Sequence, residues 1–322
     1  MEPIKPVTPP NSLVWRIVHF PLVLLAIGIA FMMGAGFTAT MVSRAIPRAG
    51  NDWLAVLVAI LVAAVFVAYY CAFVRLVERR PTVAEFALSG WPKELGAGIL
   101  GGLILFSVVV AVIAALGGYR VIGQNPIAVV LPALAISITS GVTEEIMLRG
   151  IFFRLVESWL GSWIALILSA ALFGALHLGN PNASLLAGSA IALEAGVMLG
   201  ALYMVTRRLW AAIGLHAAWN FAQGGIYGIA VSGFRQDGLL VPRITGSDLL
   251  TGGSFGAEAS LPAIIVCTAF GVAVIVLAHR RGRFVRAILI RKAWALLVRL
   301  IRQFRSGRGS QPSLVQPADL QE

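Results

Sequence analysis

Charge is what this chain has least of. Only 12% of its 322 residues are Asp, Glu, Lys or Arg, and just 14 are acidic. Soluble domains carry about 25% charged residues, so most of this chain cannot present a water-facing surface. Cysteine is almost absent: Cys71 and Cys267 stand alone, each inside an apolar run. That excludes a disulfide framework and a thiolate metal site. No H-E-x-x-H motif occurs, and the G-x-S-x-G string G-G-S-F-G over 252–256 lies in a Gly- and Ser-rich connection with no strand before it and no helix pattern opening at it, so neither a serine-hydrolase elbow nor a zincin helix is written into the chain. Strand-length alternation is missing, which argues against a transmembrane barrel. No internal repeat supports a transporter built of inverted halves.

Apolar helix fills the chain instead. The composition is 59% hydrophobic and the mean hydropathy is +0.89. Eight apolar runs lie near 17–40, 53–74, 95–116, 126–148, 162–178, 183–206, 210–228 and 261–279. Each reaches or approaches the about 20 helical residues that cross a bilayer. They predict an all-α integral membrane protein of about eight transmembrane helices, with one polytopic domain over 17–279. The first run is longer than a signal-peptide core and lacks a cleavage pattern, so it is read as a retained helix. With residues 1–16 as a cytoplasmic tail, 20 of the 25 basic residues fall on the cytoplasmic side. Outside lie only Arg44, Arg48, Arg120, Arg235 and Arg243. This positive-inside pattern puts both termini in the cytoplasm and points to a bacterial inner membrane.

The net charge of +11 is concentrated at one end. Residues 280–322 hold ten basic and two acidic residues. Within 280–305, Arg291, Lys292, Arg299, Arg302 and Arg305 share an arc, interleaved with Trp294, Leu297, Ile301 and Phe304. The pattern predicts an interfacial amphipathic helix on anionic lipid, followed by a disordered tail over 306–322. Membrane lipid, not nucleic acid, is the expected partner.

Against this background a few polar residues stand out. An ionisable group at the bilayer midplane costs roughly 2.5–3.5 kcal/mol on insertion scales, so several of them must pair, hydrate or do chemistry. Glu144 and Glu145 adjoin on the fourth run, and Arg149 follows Glu145 by four residues. That spacing brings Glu145 and Arg149 onto one face as a pair and leaves Glu144, turned by about 100°, aimed elsewhere. Phe173 and His177 repeat the spacing on the fifth run, and His216 and Asn220 on the seventh. Glu194 is alone on the sixth. A turn near Gly161 would put Glu144 and His177 at matching heights, about 25 Å from it, with His216 offset by about 12 Å. The first hairpin must then protrude further into the cytoplasm.

A carboxylate can act as general base on water beside an imidazole, and an imidazole with an amide can hold an oxyanion. Alternatively, Glu144, His177, His216 and Asn220 could ligate a divalent metal such as zinc. Either route hydrolyses an acyl bond with activated water.

T-E-E-I-M-L-R-G over 143–150, F-G-A-L-H over 173–177 and H-A-A-W-N over 216–220 resemble EExxxR, FxxxH and HxxxN. These motifs mark the CPBP intramembrane proteases, which include type II CAAX prenyl endopeptidases and bacteriocin-processing and self-immunity proteins. The resemblance covers about 75–230. It implies an eight-helix fold around an intramembrane polar cavity, and an endopeptidase acting on a peptide or membrane-protein substrate, prenylated or not. The roles it implies are Glu144 activating water with His177 assisting, and His216 and Asn220 forming the oxyanion site. Glu145, Arg149 and Phe173 would support them; Glu194 lies outside the three motifs and is expected to support the site or line its cavity. The other role open to the family is a non-proteolytic scaffold or immunity protein.

Overall fold

A computed structural model of the protein describes residues 13–46 and 52–287. After a short helix α1 (Leu13–Val18), the long helices are α2 (Pro21–Ala45), α3 (Asp52–Val77), α4 (Trp91–Ala115) and α5 (Ile127–Leu160). Then come α6 (Ser162–His177), α7 (Leu185–Thr206), α8 (Trp210–Asn220, continued by a π-helical turn over Phe221–Ile226) and α9 (Leu261–Arg280). Among the described residues six of these, α2, α3, α4, α5, α7 and α9, are long and apolar enough to cross a membrane. They are apolar outside as well as in. Ile29, Met33 and Phe37 on α2 and Leu100, Ile104 and Val108 on α4 are all exposed at four-residue spacing, a stripe suited to lipid.

Two of the eight predicted spans are therefore shorter than expected. Helix α6 has 16 residues and α8 has 11 before its π turn. In α8 every residue from Ala211 to His216 is buried, so protein rather than lipid surrounds it. Hydropathy cannot separate a short helix buried in a core from a spanning one. Conversely, the fourth run is longer than read, because α5 continues for 34 residues to Leu160. It stops at Gly161, whose φ of +86° suits glycine. The expected turn has its counterpart here.

A small two-stranded sheet accompanies the helices. Tyr119–Gln124 (β1) pairs antiparallel with Leu240–Ile244 (β2), with an irregularity between Val121 and Gly123. Both strands are short, and Pro242 interrupts the second, so neither left a legible alternation. The predicted tail helix over 280–305 falls mostly outside the described residues. Within them, 281–287 are not helical; the backbones of Ser162 and Val285 hydrogen-bond there, and the Ser162 hydroxyl accepts from Val285 N–H.

What places the site is the close approach of α4 to α8. A Cβ on Gly98 would lie 2.3 Å from the Ala211 carbonyl oxygen, and one on Gly102 would lie 2.4 Å from that of Leu215. These distances demand glycine, and the Gly-xxx-Gly spacing is the usual means of packing two membrane helices backbone to backbone. On its other side α8 meets α5, where Gly141 faces Ala217. Squeezed between two helices, α8 has one way to direct His216 and Asn220. Replacing Gly102 by leucine should therefore destabilise the protein by about 1–3 kcal/mol and lower its thermal midpoint in detergent. The same substitution at Gly96, which has open space around its Cα, should cost much less.

Candidate active site

Arg149 ties the site together. It is fully buried, as is its partner Glu145, and its Nη1 donates to Glu145 Oε1 at 2.8 Å. Its Nη2 donates to the carbonyls of Ala195 at 2.8 Å and Gly196 at 3.2 Å on α7. Those carbonyls belong to a π-helical turn, Ala192–Val197, whose altered hydrogen-bond register frees backbone acceptors. Arg149 also lies 4.9 Å over the Phe173 ring of α6, a cation–π contact. One guanidinium thus binds three helices.

The same carboxylate orients the histidine. Glu145 Oε1 is 2.9 Å from His216 Nδ1, so that nitrogen carries the proton and donates it. His216 Nε2 then points to Glu144 Oε2, 3.8 Å away. The two adjacent glutamates diverge as expected: the Glu145 side chain is 0% exposed and that of Glu144 is 31%. Asn220 donates from Nδ2 to the Ser140 hydroxyl at 3.0 Å, leaving its second N–H for another acceptor. His177 Nδ1 is 2.8 Å from the Phe173 carbonyl, so Nδ1 holds the proton and Nε2 keeps a lone pair. Phe173 stands at the centre, with its ring centroid 4.7 Å from that of His177 and 6.0 Å from that of His216.

Glu144, His177 and Asn220 open onto a cleft of about 630 Å³. Behind them is a chamber of about 40 Å³, which they share with His216 and Glu194; such a space admits water but not a peptide. All the residues singled out in the sequence are brought together here, Glu194 included. It is buried and its Oε1 has no partner among the described residues.

Several contributors were not anticipated. Ser140 lies one turn before Glu144, and Asn180 follows His177 on the cleft wall. Glu258, buried, reaches the inner chamber from the segment before α9. Its sequence context, a Gly- and Ser-rich connection, carries no helical spacing that would have marked it. Burial pushes the Glu258 carboxyl up to about 7, against hydrogen bonds from Ser232 and Gln223 and the nearby His216.

The metal-ligand reading fares differently. Among the described residues no three His, Cys, Asp or Glu side chains could hold a metal ion. Glu144, His177 and His216 therefore form no such group, and no step below uses a metal.

Residues 126–222 match the family model described as Type II CAAX prenyl endopeptidase Rce1-like. No curated protein and no solved structure matches the chain. The matched stretch begins just before α5 and ends just after Asn220, so it contains all three motifs.

Two outcomes follow from the geometry. Arg149→Met strands a buried carboxylate and should cost about 3–5 kcal/mol, read from unfolding in detergent; adding Glu145→Gln should recover part of that loss. Glu258 is protonated in the folded protein up to about pH 7, against an ordinary value of 4.5. Its contribution to stability is therefore complete below 4.5 and disappears as the pH rises through about 7. Glu258→Gln should flatten that part of the thermal midpoint's pH dependence.

Proposed function

We propose that this chain, which belongs to the Rce1-like family of type II CAAX prenyl endopeptidases, is an intramembrane endopeptidase that hydrolyses a peptide bond with a Glu144-activated water. The observation that carries the reading is the contrast within the glutamate pair. Glu145 is sealed in against Arg149 and His216, whereas Glu144 is 31% exposed on the cleft wall with His216 Nε2 only 3.8 Å from its Oε2.

Water bound between Glu144 and His177 loses a proton to Glu144 as its oxygen attacks the substrate carbonyl. The oxyanion accepts hydrogen bonds from the free N–H of Asn220 and from His216 when its Nε2 is protonated. Glu144 then passes the proton to the leaving amine, and the C–N bond breaks. His177 can share that proton through Nε2, since its Nδ1 is fixed on the Phe173 carbonyl. Glu145, Arg149 and Phe173 hold the reacting groups in place. The reading is of a glutamate mechanism, in which no step needs a metal.

An apolar groove of about 310 Å³ supports a substrate with a hydrophobic flank, whether prenylated or a bare membrane segment. It runs beside α2 past Leu25, Met32 and Phe66 and shares Met147, Leu148 and Leu176 with the cleft. The positive-inside pattern supports a bacterial inner membrane with both termini cytoplasmic. The basic residues beyond 280 suit anionic lipid on that side.

The test uses full-length protein in detergent with quenched peptides, prenylated and unprenylated. Glu144→Gln should cut turnover at least 10²-fold, on the order of general-base loss, without moving the thermal midpoint. Asn220→Ala should lower kcat by roughly 10²–10³. A chelator should leave the rate unchanged. Wild-type turnover by Glu144→Gln would sink the mechanism, and no turnover by well-folded wild type would favour the scaffold or immunity role.

A further inference from the structure

Beyond the three motifs, one buried carboxylate holds a piece of the cleft. Val231 and Phe234 exchange backbone hydrogen bonds of 2.9 Å, closing a two-residue hairpin over Ser232 and Gly233. Both central residues have positive φ, 48° and 87°, as a type I′ turn requires. Serine is uncommon in that conformation, so the surroundings must impose it.

They do so through the two free N–H groups of the turn. Gly233 N–H donates to the Phe255 carbonyl at 2.7 Å. Ser232 N–H donates to the Glu258 carboxylate. Glu258 is in turn hydrogen-bonded by the Gln223 amide, and Gln223 Nε2 also donates to the Ala230 carbonyl at 2.5 Å. At the other side, a Cβ on Gly233 would lie 1.8 Å from the Pro181 carbonyl oxygen. The turn is thus wedged between the loop that follows His177 and the segment that carries Glu258.

This turn is part of the reaction space. Ser232 lines both the cleft and the inner chamber, and Val231, Phe234, Arg235 and Gln236 continue the cleft wall that bears Glu144, His177 and Asn220. We infer that Glu258 is a positioning residue: it latches the 231–234 turn across the cleft, and the latched turn sets how tightly and in what register a peptide substrate is held. The inference deepens the peptidase reading and rests on it for the substrate, but the latch itself is a property of the fold. Glu258 does not touch the reacting bond. Its loss should act on binding rather than on chemistry.

Two readouts separate these possibilities in full-length protein reconstituted in nanodiscs. The first is hydrogen exchange over 229–236, which needs no activity. Glu258→Ala removes the side-chain acceptor of the Ser232 N–H, so exchange there should quicken roughly tenfold or more, with the helices unchanged. Glu258→Gln keeps an acceptor oxygen for Ser232 N–H and should restore the slow exchange. The second is peptide hydrolysis, in which Glu258→Ala should raise KM by roughly tenfold with kcat little altered, and Glu258→Gln should bring KM back.

Exchange in Glu258→Ala as slow as in the wild type would overturn the latch, as would a fall in kcat at constant KM. Should Glu258→Ala fail to fold, Glu258→Asp, one methylene too short, is read in its place with the same expectations. A wild type that cleaves nothing would count against the peptidase reading alone, because the exchange comparison still decides whether Glu258 holds the turn.

Discussion

Everything in the site hangs on a guanidinium removed from water. Arg149 is wholly buried and meets a carboxylate, two backbone carbonyls and an aromatic face. Desolvating such a cation is costly, and only a nearly complete set of partners offsets it. Those partners come from α5, α6 and α7, so their relative positions are fixed by one electrostatic requirement. Glu145 answers Arg149 with one oxygen and directs His216 with the same oxygen. A support pair has thereby become the orienting device for a fourth helix.

The division of labour between the two glutamates is a consequence of helix geometry. Neighbouring residues on a helix diverge by about 100°, so one carboxylate can be sealed in while the next faces the cleft. Local π-helical turns reinforce this. They occur over Ile146–Phe153, Ala192–Val197 and Phe221–Ile226, immediately after the glutamate pair, around Glu194 and immediately after Asn220. Each shifts the hydrogen-bond register where a side chain or carbonyl has to be re-aimed. Close glycine contacts between α4 and α8 do the same at larger scale, by trapping α8 so that His216 and Asn220 arrive at the shared chamber.

The cleft has a second support on its far wall, unrelated to the motifs. A strained turn at Ser232 and Gly233 is held by Glu258 and by the Phe255 carbonyl, and it abuts the loop after His177. Helices thus carry the motif side chains, while a short anchored turn closes part of the cleft wall opposite them. The adjoining apolar groove, which shares Met147, Leu148 and Leu176 with the cleft, places hydrophobic surface next to the polar chamber. That combination suits a substrate itself embedded in lipid.

Much of this was legible in the chain. Scarce charge and long apolar runs determined a helical membrane protein, because lipid tolerates no unsatisfied backbone. Four-residue spacing determined that Glu145 and Arg149 would pair and that Glu144 would face another way, because a helix repeats every 3.6 residues. The turn at Gly161 and the convergence of Glu144 with His177 followed from counting residues along two antiparallel helices. Other features depended on partners distant in sequence. Whether an apolar run faces lipid or protein is decided by its neighbours, which is why α8 proved a short buried helix. Strands β1 and β2 exist only as a pair drawn from segments more than a hundred residues apart. Glu258 carries no periodic signal, and it reaches the site only because the segment before α9 folds back onto the Ser232 turn. Periodicity records what a residue's own helix does with it, and tertiary structure alone decides what the other helices bring.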